Sequence, residues 1–192
     1  MNPVVKAVLP ILPRFGFQCG YACELGASDG LHYSNTLEIE QRGWIVLCVE
    51  PNPQLEAEGR ANRRLWRCVA AGPEDLSTAS FTVVGTRRPW SSSSALVVRD
   101  DYAAVYDGPR NVIQVPVLRL DRILEEAGFP RLDFLSLDVE GYEAEVLRGF
   151  TIERWKPKVM AVESLNNDLP IPEGYALRER ILYDNLYLRT AP

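Results

Sequence analysis

The chain reads as a single open, doubly wound α/β domain with a mostly parallel sheet, and three observations predict it. Apolar runs at residues 21–25, 44–49, 65–70, 132–137 and 159–162 are continuous rather than alternating, as in parallel strands buried on both faces. Helix patterns at about 33–42, 54–64, 120–127 and 142–147 lie between them. No repeat and no Pro/Gly/Ser-rich linker divides the 192 residues, a length that suits one domain with a full core.

Each element has a local reason. Residues 1–18 form an N-terminal arm. Its apolar stretch 4–17 is broken by Pro10 and Pro13 and lacks a small-residue cleavage pattern, so it predicts a cover for the sheet rather than a signal peptide or membrane span. In the third helix Leu120, Ile123, Leu124 and Ala127 recur at helical spacing, Gly128 caps the end and Pro130 blocks continuation. In the fourth, Glu143 and Glu145 open the helix and Arg148 closes it, matching the helix dipole. Residues 174–188 read as two short strands around Tyr183-Asp184-Asn185, a C-terminal antiparallel hairpin closing one sheet edge. Residues 85–111, with Arg87-Arg88-Pro89-Trp90 and a serine run ending at Ser94, fit no element and read as a lid or insert.

Composition excludes several classes. A net charge of −5 argues against a nucleic-acid partner, and Arg60, Arg63, Arg64 and Arg67 read as a solvated helix end. Cys19 and Cys23 lack the Cys-x-x-Cys spacing, while Cys48 and Cys68 sit in apolar runs as buried thiols do. Free buried thiols fit a reducing, cytoplasmic setting with no membrane association.

Three motifs carry chemistry. In the first, Glu24-Leu25-Gly26-Ala27-Ser28-Asp29-Gly30, glycines allow close backbone approach to a ligand before a helix. The Gly-x-Gly-x-x-Gly spacing is absent, which counts against NAD or FAD, and Glu24 favours a cationic or hydroxyl-rich ligand over a pyrophosphate. In the second, Glu50 ends the second strand, 20 residues after Gly30, where a carboxylate can accept both ribose hydroxyls of a nucleoside. In the third, the apolar run at 132–137 ends on Asp138-Val139-Glu140-Gly141, and Glu163 ends the neighbouring strand. Adjacent strand-end acids such as Asp138 and Glu163 can share a divalent cation or raise one another's pKa.

Taken together with Val115-Pro116-Val117-x-x-Leu120-Asp121, Val146-Leu147-x-Gly149 and Pro157-x-Val159-x-x-Val162-Glu163, these motifs resemble the FkbM-type methyltransferases over about 23–163. Asp29-Gly30, Ser34-Asn35-Thr36, Leu37-Glu38 and Gly43-Trp44 are similar to the branch that includes the Star-like proteins. The resemblance implies a Rossmann-like class I methyltransferase fold with a seven-stranded sheet, and S-adenosylmethionine as cofactor. Gly26, Ala27, Ser28, Asp29 and Gly30 would take its methionine part, with Glu24 as another cofactor contact. Glu50, with Pro51 and Asn52, would hold the ribose, and Val69 and Ala70 would flank the adenine. Asn35, Ser94 and Asp138 are further cofactor contacts on this resemblance.

The family is associated with O-methylation of sugars and natural products, so a small-molecule hydroxyl acceptor is implied. Candidate bases are Asp138, Glu140 and His32, the chain's one histidine, whose residue type suits base work. Alternatively Asp138 and Glu163 hold Mg²⁺, with Asn166, Asn167 or Asp168 as the other evident donors. A non-catalytic binding or trafficking protein on the same fold is the contrasting expectation. Acceptor recognition falls to residues 85–111 and 165–173, which carry no code for the acceptor.

Overall fold

The computed structural model of the chain describes residues 2–16, 18–84, 94–96, 109–164 and 169–190. Helix α1 (Pro3–Val8) begins at Asn2, whose side chain accepts the Val4 N–H, with proline in its first turn. There follow β1 (Tyr21–Leu25), α2 (Leu37–Gln41), β2 (Ile45–Val49), α3 (Glu56–Asn62), β3 (Leu65–Arg67), β4 (Ala70–Gly72), β5 (Leu76–Val84), β6 (Ser94–Ala95) and β7 (Arg110–Arg119). The remainder comprises α4 (Leu120–Glu126), β8 (Phe134–Leu137), α5 (Glu143–Arg148), α6 (Ile152–Trp155), β9 (Val159–Glu163), β10 (Tyr175–Ile181) and β11 (Asp184–Arg189).

The main sheet has seven strands in the order β3-β2-β1-β8-β9-β11-β10. Strands β3 through β9 of that order pair in parallel, and β11 runs antiparallel to both β9 and β10. Such a mostly parallel sheet with helices fits a Rossmann-like fold. The chain moves outward from β1 to β3, then returns to place β8 on the other side of β1. Order reversal at β1 and β8 opens a crevice at the carboxyl ends of the strands, where open α/β sheets bind ligands.

Both faces of the sheet are buried, which explains the continuous apolar runs. Cys23, Leu25, Leu135, Leu137, Met160 and Val162 point to the side covered by Leu120, Ile123 and Leu124 of α4 and Val146 of α5. Ala22, Val46, Cys48, Phe134, Val159 and Ala161 point to the side covered by Val4, Val5 and Val8 of α1 and Ile39 of α2. The N-terminal arm therefore covers the sheet. No described helix is long and apolar enough to cross a membrane.

Several expectations are corrected. The apolar run 65–70 is two strands: β3 pairs with β2, whereas β4 pairs with β7 in a second sheet ordered β4-β7-β5-β6. Its residues face different cores in succession, Val69 the main one and Ala70 a smaller one with Phe81, Val83, Val115 and Val117, so the run looks uniform. Strands β5 and β7 went unanticipated because much of their length is exposed, giving no continuous apolar signal. The 33–42 helix shortens to α2, since Glu24 captures the Asn35 N–H and the Ser34 and Thr36 hydroxyls in a turn. Cys68 is only half-buried, and burial pushes it up to about 11.

Arg63 is not solvated either: it is 4% exposed. Its guanidinium donates to Glu40 at 2.7 Å, Glu24 at 3.0 Å, Thr36 Oγ1 at 2.7 Å and the Gly30 carbonyl at 3.1 Å. Two carboxylates and this full set of acceptors compensate the buried cation. Of residues 85–111, positions 85–93 and 97–108 lie outside the described residues, as do Asn166, Asn167 and Asp168.

Candidate active site

Backbone packing builds the floor of the crevice. Gly26 follows β1 with φ +80°, and its N–H donates to the Val49 carbonyl at 3.0 Å. The Asp138 N–H in turn donates to the Leu25 carbonyl at 3.2 Å. The loop after β1 thus bonds the end of β2, the loop after β8 bonds the end of β1, and the two loops meet where only glycine fits at position 26. Gly30, also at φ +80°, packs instead on Arg63, whose Cγ would lie 2.6 Å from an added Cβ.

Above this floor lies a cavity of about 530 Å³. That falls within the roughly 300–1,000 Å³ typical of small-molecule sites. The structure brings to its wall Glu24, Gly26, Ala27, Ser28, His32, Asn35, Glu50, Pro51, Val69, Ala70, Asp138, Glu140 and Glu163. Asp29, Gly30 and Asn52 do not line it and act on the wall residues from behind. Ser94 lies in β6, and its side chain is outside the described residues.

Glu50 caps β2 at 6% exposure. The Ser28 N–H donates to one carboxylate oxygen at 3.0 Å and the Asn52 N–H to the other at 2.9 Å. Burial nevertheless pushes this carboxyl up to about 7, against the pull of those two N–H groups. Glu24 is committed differently. One oxygen accepts the Asn35 N–H at 2.6 Å and the other takes Arg63 at 3.0 Å, Ser34 and Thr36, so its charge holds the loop. Asn35 reaches across to β8, donating to Ser136 Oγ at 3.0 Å.

The loop after β8 gathers acids. Glu140 stands at φ +57°, and Glu143 accepts the Val139 and Gly141 N–H groups at 2.9 and 3.1 Å. Glu143 serves the turn as well as the helix start. One oxygen each from Asp138, Glu143 and Glu163 lie within 4.8 Å of one another. Burial, then the charges of Glu163, Glu140, Asp184 and Glu143, raise Asp138 well above the ordinary carboxylate range. Asp184, at the start of β11, is pushed up to about 6 by burial.

Sequence reasoning missed Asp184 on the wall and Glu143 in the cluster. Their only signals were a hairpin turn and a helix-opening acid. It also missed the apolar wall of Phe81 and Leu96, and the contribution of Asn2, Pro3 and Val4 from the arm.

Residues 24–177 match the model of the methyltransferase FkbM domain. The chain belongs to the FkbM methyltransferase family. The match spans every cavity residue named above except the arm and Asp184. Among curated proteins the chain is similar to the 2-O-methyltransferase NoeI of Sinorhizobium fredii (strain NBRC 101917 / NGR234), at 26% identity over 140 residues. The aligned part is 66% of this chain and 55% of that protein, so the chain spans about half the length of the curated relative it matches. No solved structure matches it. For an FkbM-family member the cavity divides into two regions. One combines the glycine turn, Glu50 and the apolar Val69–Ala70 edge; the other is rich in carboxylates around Asp138.

Proposed function

We propose that the chain is an S-adenosylmethionine-dependent methyltransferase that O-methylates a hydroxyl of a small molecule, a sugar or natural product. The observation that carries this reading is Glu50: a buried carboxylate at the end of β2, aligned by two N–H groups on the cavity wall. Each of its oxygens has a lone pair left for a ribose hydroxyl. Val69, Ala70, Phe81 and Leu96 offer an apolar slot for the adenine, and Gly26 to Ser28 a backbone edge for the methionine part. When bound, the cofactor supplies an electrophilic methyl group on a sulfonium. The chain's own part is to align an acceptor oxygen with that carbon and to take its proton.

Calorimetry with S-adenosylmethionine tests the reading. Binding by the wild type that Glu50→Ala abolishes is the expected result; no binding, or equal binding by the variant, overturns it. Methyl transfer to a panel of neutral sugars and other hydroxyl compounds then reports the acceptor class, and the similarity to a 2-O-methyltransferase supports starting with hydroxyl acceptors.

A second reading has its own observation. Asp138, Glu143 and Glu163 offer an all-oxygen set within 4.8 Å, chemistry that suits a hard divalent cation such as Mg²⁺. A cation there would supply Lewis-acid polarisation of the acceptor hydroxyl. Its test is thermal unfolding with and without MgCl₂. Stabilisation that disappears in Glu163→Gln supports it, and an unchanged melting temperature overturns it.

A further inference from the structure

The loop between β1 and α2 holds a buried carboxylate against the chain's one histidine. Asp29 is 1% exposed, whereas the His32 side chain is 47% exposed and lines the cavity. Asp29 Oδ2 lies 2.5 Å from His32 Nδ1. The other oxygen accepts the N–H groups of Leu31 and His32, each at 2.9 Å. Asn62 of α3 donates to the Asp29 carbonyl at 2.9 Å, fixing the loop from a second element. The carboxylate cannot rotate away from the ring without breaking both backbone bonds.

Burial pushes the Asp29 carboxyl up, but the hydrogen bonds from the His32 ring and from the two N–H groups outweigh it and hold the carboxyl low. An ionised carboxylate only accepts, so the proton between the two side chains sits on Nδ1. In a neutral imidazole of that tautomer, Nε2 is the acceptor nitrogen. Of the three base candidates, His32 is the one whose tautomer a buried partner sets. Carboxylates on the same cavity wall are Glu24, Glu50, Asp138, Glu140, Glu163 and Asp184, with Tyr33, Tyr142 and Tyr183 as its phenols.

We propose that Asp29 is a positioning residue that holds His32 with Nδ1 protonated, so that Nε2 takes the proton of the acceptor hydroxyl during methyl transfer. The inference rests on the methyltransferase reading above. In the step, the acceptor oxygen forms a bond to the methyl carbon as the S–C bond breaks. That bond's electron pair goes to sulfur, leaving a neutral thioether, and the O–H proton passes to Nε2.

The test begins with the unliganded protein. A long-range ¹H–¹⁵N spectrum at a pH where the ring is neutral contains one histidine spin system and reads its tautomer directly. The expected wild-type signature is Nδ1–H. Asp29→Asn keeps an oxygen for the backbone N–H groups but turns an NH₂ toward Nδ1, which drives the proton to Nε2. A wild type in the Nε2–H form, or an unchanged tautomer in a folded Asp29→Asn, overturns the proposal.

Kinetics supply the second arm. His32→Gln is expected to lose about 100-fold or more in methyl transfer. It should bind S-adenosylmethionine like the wild type, so that the loss falls on kcat rather than on cofactor affinity. A wild-type rate in His32→Gln overturns the proposal. Absence of cofactor binding in the wild type would overturn the methyltransferase reading instead, and with it the role of Nε2, whereas the tautomer result stands by itself.

Discussion

A Cβ added to Gly26 would lie 1.7 Å from the backbone oxygen of Asp138. The turn that opens the cavity and the loop that carries its central acid are therefore in contact with no room for a side chain. Gly26→Ala must move backbone, and its φ of +80° adds strain of about 1–2 kcal/mol for any residue with a Cβ. The expected outcome is a loss on the order of 3 kcal/mol or more in urea unfolding, with cofactor affinity lost as well. Gly43→Ala, at φ +92° but with nothing within 4 Å, should show the strain alone.

Arg63 predicts a large effect outside the cavity. Arg63→Met leaves Glu24 and Glu40 buried without their shared cation, costing about 3–5 kcal/mol. Adding Glu24→Gln and Glu40→Gln should recover part of that loss in chemical denaturation. A strictly additive triple variant would show that the three side chains do not act as a network.

On the proposed reading, Glu50 should make cofactor binding pH-dependent. Ribose hydroxyls donate to the ionised form, so with its carboxyl at about 7 affinity should rise about tenfold from pH 6 to pH 8. Adenosine, which has the ribose without the amino-acid groups, is the appropriate calorimetric probe. Stability moves the other way. A folded-state pKa above the unfolded value means the native state holds the proton more tightly, so stability falls as pH rises from about 4.5 through about 7. The drop from this group is on the order of 3 kcal/mol and should be missing in Glu50→Gln.

The cavity's charge predicts which acceptors fail. Among its described lining residues are Asp138, Glu140, Glu163 and Asp184, and no lysine or arginine. A phosphorylated or carboxylated acceptor meets like charge with no compensating cation. In a competition assay the neutral form of a sugar should be methylated at least about tenfold faster than its phosphate ester, and added salt should narrow the gap.

What the sequence made legible follows from locality. Glu50, Asp138 and Glu163 stood out because an apolar strand that ends on an acid is readable within a few residues. Arg63 did not, because its partners Glu24 and Glu40 lie 39 and 23 positions away and nothing local distinguishes it from solvated arginines. Glu143 read as a helix-opening acid, which it is, but its approach to Glu163 depends on the parallel pairing of β8 with β9. Asp29 reads from the sequence as part of the glycine motif, and its approach to His32 Nδ1 is a side-chain contact that the motif does not announce. The small second sheet was hidden by the exposure of β5 and β7.

The position of β11 also bears on how the molecule is made. The last strand to be synthesised among those described is an interior one, seated between β9 and β10. Until it emerges from the ribosome, the edge of β9 has no neighbour and the wall contributed by Asp184 does not exist. A nascent chain stalled before β11 would carry the glycine turn and Glu50 yet display an open strand edge, the kind of surface on which chaperones and misassembly compete. The β9 edge and the Asp184 side of the cavity are thus completed only once β11 has been made.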